Sequence, residues 1–247
     1  MRVALVSDVH GNLTALEAVL ADLQRRGADL VVHGGDLALM GPRPAEVVDR
    51  IRELGWPGVV GNTDELLWRP QERARQLRRA PKLARLLELI FDAYAPDTRE
   101  RLGEERIAWL RTLRPEHRTD ELTVVHAQPD DLWRAPMPDA TDGELSGIYE
   151  PLAAERVGYG HIHRPFARRL DGLTVANAGS VGLPWDGDPR AAYLLCDGGV
   201  TRIVRVEYDV EEEVRALRSA GHPDTERLAQ ILRTGEFVPP RAAPSRP

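Results

Sequence analysis

Along the first sixty positions the apolar residues switch repeatedly between two periods. A short apolar run at 3–6 gives way to Leu13, Leu16, Val19, Leu20 and Leu23 at helical spacing, closed by Gly27. A second run covers 30–32. Ala45, Val47, Val48, Ile51 and Leu54 then mark a second helix stopped by Gly55, and Val59 and Val60 end a third run. Strand–helix alternation of this kind predicts parallel strands with right-handed crossovers, and by itself suggests a doubly wound sheet. From about 66 to 118 the pattern turns helical and arginine-rich, with Leu83, Leu86, Leu87, Ile90 and Phe91 on one side, followed by Leu102, Ile107, Leu110 and Leu113. We read this stretch as a helical insertion that either flanks a site or covers the sheet, its arginines forming a solvated face. The remainder is strand-rich: runs at 122–125 and 156–159, a hairpin of 167–170 and 173–176 around Asp171-Gly172, and runs at 191–196 and 201–206 around Asp197-Gly198-Gly199. Helical spacing returns near 210–220 and 224–234, and the proline-rich 239–247 is expected to be an unstructured tail. With no repeat and no linker, 1–238 is expected to form one domain.

Composition narrows this picture without changing it. The chain has 247 residues and lacks any stretch of continuous apolar residues long enough to span a bilayer, so no membrane association is expected. The first apolar run is short and meets Asp8 directly, which reads as a strand rather than a signal peptide. Cys196 is the only cysteine, so no internal disulfide is possible; a buried thiol and a cytoplasmic location are expected. The net charge of −6 implies no broad basic face, and nucleic acid is not indicated as a partner. Oligomeric state is not readable.

The candidate chemistry sits where apolar runs end. Asp8 and His10 lie in SDVHGN, Asp36 in HGGDL, Asn62 in VVGNTD, His126 in TVVHAQ, and His161 and His163 in GYGHIHRP. The carboxyl ends of strands are where α/β proteins place their sites. In extended backbone, residues two apart point to the same side, so each D-x-H or H-x-H pair is expected to converge on one point. Neighbouring glycines permit tight turns and close approach. Carboxylates, imidazoles and an amide oxygen, without thiolates, suit divalent ions such as Mn²⁺, Fe²⁺ or Zn²⁺.

In order and local spacing these motifs resemble the calcineurin-like metallophosphoesterase superfamily, whose pattern is D-x-H, G-D, G-N-H-[DE], H and G-H-x-H. The match runs from Asp8-Val9-His10 through Gly35-Asp36, Gly61-Asn62-Thr63-Asp64 and His126 to Gly160-His161-Ile162-His163. The segment 177–195 also resembles that of small prokaryotic phosphodiesterase members. The resemblance implies an α/β (α+β) fold, a four-layer αββα sandwich of two mixed β-sheets flanked by helices. It implies two divalent metal ions, Mn²⁺ foremost and Fe²⁺, Zn²⁺ or Ni²⁺ as alternatives. Asp8, His10 and His163 would hold one, Asn62, His126 and His161 the other, with Asp36 bridging. The expected activity is hydrolysis of a phosphodiester or phosphomonoester by a metal-bridging hydroxide, on a small phosphate-ester substrate. Two divalent ions against two carboxylates and a hydroxide leave roughly one positive charge to attract phosphate. The alternative reading is a non-catalytic metal-binding scaffold or regulatory protein of the same fold. Protein phosphatases of the superfamily carry G-D-x-x-D-R-G, and the Gly35–Gly41 segment lacks its second Asp and its Arg.

One position departs from the pattern. Thr63 stands where the family has the histidine that contacts phosphate and protonates the leaving group. Threonine is no acid near neutral pH, and losing general-acid help costs on the order of 10²–10⁴-fold for a poor leaving group. Asp64 matches the acidic position that follows, a supporting place, and is carried with Asp36 and Asn62 in the candidate catalytic set. Asn62, Thr63 and Arg43 are candidate substrate contacts. His33 is read as a strand-end residue without a catalytic role, Trp68 and Trp133 as packing residues, and His117 and His222 as surface residues.

Overall fold

The computed structural model describes residues 1–240. The chain opens with β1 (Val3–Val6), α1 (Leu13–Arg26), β2 (Leu30–His33), α2 (Pro44–Glu53) and the single turn α3 (Asn62–Glu65). The insertion follows as α4 (Arg73–Arg79), α5 (Ala84–Leu89), a π-helical turn at Ile90–Tyr94 and α6 (Ala95–Leu110). The second half runs β3 (Glu116–Arg118), β4 (Thr123–Val125), α7 (Asp142–Tyr149), β5 (Arg156–Tyr159), β6 (Phe166–Arg169), β7 (Thr174–Asn177), β8 (Ala191–Asp197), β9 (Val200–Val206), α8 (Val210–Ser219) and α9 (Thr225–Thr234).

Two mixed sheets result, ordered β2-β1-β8-β9 and β3-β4-β5-β7-β6. β1 pairs in parallel with β2 and antiparallel with β8, so the doubly wound expectation fails for the first half, whereas the four-layer sandwich holds. Period-2 alternation explains the layers. Ala4 and Val6 face the helical side, packing with α1 and α2 residues such as Leu16, Val19 and Val47. Val3 and Leu5, with Leu194 and Cys196 of the neighbouring β8, face the other sheet and meet Leu122 and Val124. A strand buried on both faces is apolar throughout, as the VALV sequence of β1 is. The outer face of the second sheet carries Val157, Tyr159 and Val175 against Leu145 and Tyr149 of α7.

Several boundaries differ from expectation. The run ending at Val60 forms no strand, only single parallel bridges from Gly58 to His33 and from Val59 to Arg114, because the chain turns at once into Gly61 and α3. The insertion stops being helical after α6, and Glu116–Arg118 pairs antiparallel with β4. Its arginines are engaged rather than merely solvated: Arg73 pairs with Asp92, Arg79 with Asp131 and Arg101 with Asp97. His222 is buried against Tyr94, not on the surface, because α8 and α9 fold back over the insertion. His117 is half-buried on β3. The expected tail, 239–247, lies outside the described residues apart from its first two positions. Among the described residues no helix is long and apolar enough to cross a membrane.

Candidate metal centre

The loops that follow β1 and β2 are zipped together by backbone hydrogen bonds. Asp8 N–H donates to Gly35 O (3.0 Å), His10 N–H to Asp36 O (3.0 Å) and Gly11 N–H to Leu37 O (2.8 Å). The loop after β4 joins that after β5 through Gly160 N–H to His126 O at 3.0 Å. Asn12 caps α1, its Oδ1 accepting from Ala15 N–H at 2.9 Å, which fixes where the SDVHGN loop ends. All seven proposed ligands therefore gather at one pole of the sandwich; six of them are buried and His161 is half-buried.

The local backbone is not what i,i+2 spacing suggested. Asp8, His10, Asp36, His161 and His163 all adopt positive φ, between 50° and 67°, so the pairs converge from left-handed turns rather than from extended strand ends. Such a conformation costs a non-glycine residue on the order of 1–2 kcal/mol, and it persists where surrounding contacts over-determine it. Two glycines make the remaining room. A Cβ on Gly61 would stand 2.1 Å from Asp36 Oδ1, and one on Gly160 2.2 Å from Asp8 Oδ2.

Hydrogen bonds fix the tautomers of three imidazoles. The Nδ1 of His10 meets Leu39 O (2.8 Å), that of His126 meets Gly34 O (2.8 Å) and that of His163 meets Leu183 O (2.5 Å). A carbonyl only accepts, so each Nδ1 carries the proton and each Nε2 presents a lone pair. Those lone pairs point at other acceptors. His10 Nε2 lies 3.2 Å from His163 Nε2, and His163 Nε2 lies 3.2 Å from Asp8 Oδ1. Asn62 Oδ1 lies 2.9 Å from both His126 Nε2 and His161 Nδ1. Asp36 reaches across, with Oδ2 3.7 Å from His10 Nε2 and Oδ1 3.6 Å from His126 Nε2. The ligand atoms of Asp8, His10 and His163 lie within 4.8 Å of one another, as do those of Asp8, Asp36 and His126. A buried nest of converging acceptors is the donor set that divalent cations satisfy.

The titration behaviour agrees. Burial drives His10 and His161 down to about 3, with His163 and His126 respectively adding to the shift, so both are neutral at physiological pH and free to ligate. Burial, followed by the charge of Asp8, raises Asp36 to about 7.

Asp64 does not line the cleft. Its buried carboxylate accepts from Asp36 N–H (2.8 Å), Leu37 N–H (3.0 Å) and Gly61 N–H (3.1 Å), tying three loop segments together. It thus supports the site from beneath and is not placed to meet substrate. Arg43 does not reach the cleft either; its guanidinium pairs with buried Glu213 of α8 and with Thr14. Thr63 does line the cleft, beside Asn62. Its N–H donates to Asp36 Oδ1 at 2.9 Å, and its buried Oγ1 has no hydrogen-bond partner. His33 is buried against Trp109, away from the centre. Trp68 stays out of the cleft, whereas Trp133 packs against the core as expected and also lines the cleft.

Sequence reasoning missed Trp185, which stacks on His163 with ring centroids 4.0 Å apart. A tryptophan within GLPWDG, a segment otherwise built for turns, was the available signal. It also missed Ser180, whose hydroxyl donates to Asp8 O at 2.7 Å, and Phe237, which packs edge-on against Trp185 at 5.3 Å. Nothing in the local pattern around Phe237 marks it.

Known proteins are similar to this chain in sequence and fold. The calcineurin-like phosphoesterase superfamily domain matches residues 1–198. A protein of Methanocaldococcus jannaschii is 29% identical over 233 residues, 85% of this chain and 89% of the relative. The phosphodiesterase YfcE of Escherichia coli K12 is 26% identical over 217 residues, 83% of this chain and 91% of the relative. A metallophosphoesterase from Sphaerobacter thermophilus superposes with a TM-score of 0.77 at 29% identity, over 95% of this chain and all of that one. A protein of Pyrococcus horikoshii superposes at 0.80 with 22% identity, covering 96% of this chain and 99% of that one, which speaks for the fold alone. With its motifs in family order, its two mixed sheets and its family domain spanning most of its length, the chain belongs to the calcineurin-like phosphoesterase superfamily.

Proposed function

We propose that this protein is a binuclear-metal phosphoesterase that hydrolyses phosphodiesters. The observation that carries the reading is the convergence of unprotonated imidazole nitrogens, two carboxylates and an amide oxygen on one buried point. Asp8, His10 and His163 would hold one divalent ion, Asn62, His126 and His161 the other, with Asp36 between them; Mn²⁺ fits this hard oxygen and nitrogen set. When bound, such ions supply a hydroxide nucleophile at neutral pH and the positive charge that a phosphoryl group requires. In the net reaction water oxygen bonds to phosphorus, the P–O bond to the leaving alcohol breaks, and the alcohol departs with its electron pair and takes up a proton.

The chain's own residues set the terms of that reaction. Thr63 lines the cleft, with its hydroxyl buried beside the Asp36 carboxylate. It cannot deliver a proton to a leaving alkoxide, so esters with acidic leaving groups are favoured. A monoanionic diester also suits the lining. Arg79 is paired with Asp131, while Arg134 and Arg164 stand exposed at the rim. The E. coli relative named a phosphodiesterase supports the same choice. The single buried thiol, Cys196, supports a cytoplasmic setting, and the return of α8 and α9 onto the insertion supports reading 1–238 as one domain.

The test is turnover of bis(nitrophenyl) phosphate and nitrophenyl phosphate by Mn²⁺-loaded protein alongside a count of bound metal. Hydrolysis with a preference for the diester supports the proposal. Bound metal with no turnover of either ester would favour the scaffold reading.

A further inference from the structure

The metal centre opens into a cavity of about 530 Å³, far larger than a phosphate group requires. Its floor is His10, Asp36, Asn62, His161 and His163. Most of the remaining lining is apolar and partly aromatic, with Leu83, Ile90, Trp133, Met137, Trp185 and Phe237 among a few polar side chains. Leu83 and Met137 are 46% and 40% exposed, two of the four large hydrophobic residues left exposed among the described residues, and both lie on this one cavity. Exposed apolar side chains collected beside a reactive centre mark a place where an apolar ligand displaces water.

The wall is built by segments far apart in sequence. Ile90 opens the π-helical turn of the insertion, an irregularity that tends to occur at functional positions. Trp133 lies in the loop after His126 and stacks on Phe91 at 5.9 Å and 11°. Phe237 lies beyond the residues matched by the family domain, in the segment after α9. That segment is pinned where it crosses the site: Gly187 N–H donates to Gly235 O (2.8 Å) and Arg227 to Val238 O (3.0 Å). Phe237 then bears on Trp185, and Trp185 on His163, so this part of the wall reaches a proposed ligand.

We infer that this wall is a subsite for a large, planar apolar group carried by the phosphate ester, and that the insertion and the C-terminal segment set substrate choice by building it. The inference rests on the phosphodiesterase reading for its location. A flat hydrocarbon group would lie against Trp133 and Trp185 with its phosphate at the metal pole. A small alkyl group would leave the wall in contact with water and forgo that burial.

The experiment holds the leaving group constant and varies the other ester. Nitrophenyl methyl, nitrophenyl phenyl and nitrophenyl naphthyl phosphates are compared with the nitrophenyl ester of thymidine 5′-phosphate. kcat/KM is expected to rise about tenfold or more from methyl to naphthyl, with the bulky but polar nucleoside ester trailing the naphthyl one. Ile90→Ser and, independently of any folding defect in it, Phe237→Ala should each lower the naphthyl-to-methyl ratio. Equal kcat/KM for methyl and naphthyl esters, or a nucleoside ester that outperforms both, would overturn the subsite. If no ester turns over, the phosphodiesterase reading fails separately. Quenching of tryptophan fluorescence by naphthyl phosphonate against methyl phosphonate then still decides the pocket, tighter naphthyl binding upholding it and equal binding refuting it.

Discussion

The two sides of the cleft are built on opposite principles. On the metal side, the proposed ligands are held by backbone: left-handed turns, carbonyls that fix imidazole tautomers, and the Asp64 carboxylate accepting from three amides. On the opposite side, the wall consists of apolar side chains from an irregular insertion and a C-terminal segment, joined mainly by ring contacts and packing. The two sides therefore tolerate change differently. A site fixed by backbone fails when one atom is added, whereas a packed wall can be reshaped residue by residue, with effects on choice of substrate rather than on chemistry.

The sharpest way to break that comparison is Gly61→Ala. The added methyl would overlap Asp36 Oδ1, so we expect loss of activity on the order of 10²-fold or more, with the fold retained by circular dichroism. Near-normal turnover would show that the metal side is as pliable as the wall. Thr63→His probes the one non-conforming position of the rigid side. Measured as the ratio of alkyl-ester to aryl-ester hydrolysis, it should shift toward the alkyl substrate by about 10²-fold; an unchanged ratio would contradict the account of a missing proton donor.

The smallest effect concerns His33, a buried histidine that serves no ligand role. Burial, assisted by His117, lowers it to about 3, and neither of its ring nitrogens has a hydrogen-bond partner. Because the folded value lies below the unfolded one, its neutral form is fully compatible with folding above about pH 6.5, and stability is lost as pH falls toward 3. At pH 5 that loss is about 2 kcal/mol. His33→Leu should therefore flatten the decline in thermal stability between pH 7 and pH 5, followed by calorimetry. An undiminished decline would place the acid sensitivity elsewhere.

Much of the metal side was legible in the sequence because its residues are chemically distinctive and sit beside glycines at the ends of apolar runs: Asp8, Asp36 and His126 could be named from pattern and resemblance. Their backbone could not. The i,i+2 spacing suggested extended strands, while hydrogen bonds from remote loops impose positive φ instead. The same remoteness hid Arg43, which a neighbouring motif suggested as a substrate contact and which α8 captures through Glu213. Fold class followed from the family resemblance, since local alternation in the first half pointed to a doubly wound sheet and only the late pairing of β1 with β8 makes it mixed. The apolar wall was nearly illegible. Leu83 and Ile90 looked like an ordinary helical stripe, and Phe237 has no neighbours in sequence that foretell its contact with Trp185.

In the proposed centre, buried Asp36 would be shared by two divalent ions. The direct measurement is metal content and bis(nitrophenyl) phosphate turnover on the same Mn²⁺-loaded samples of wild type and Asp36→Ala. About two equivalents and turnover are expected in the wild type, with loss of at least one equivalent and of activity in the variant. Full metal content and full activity in Asp36→Ala would contradict it.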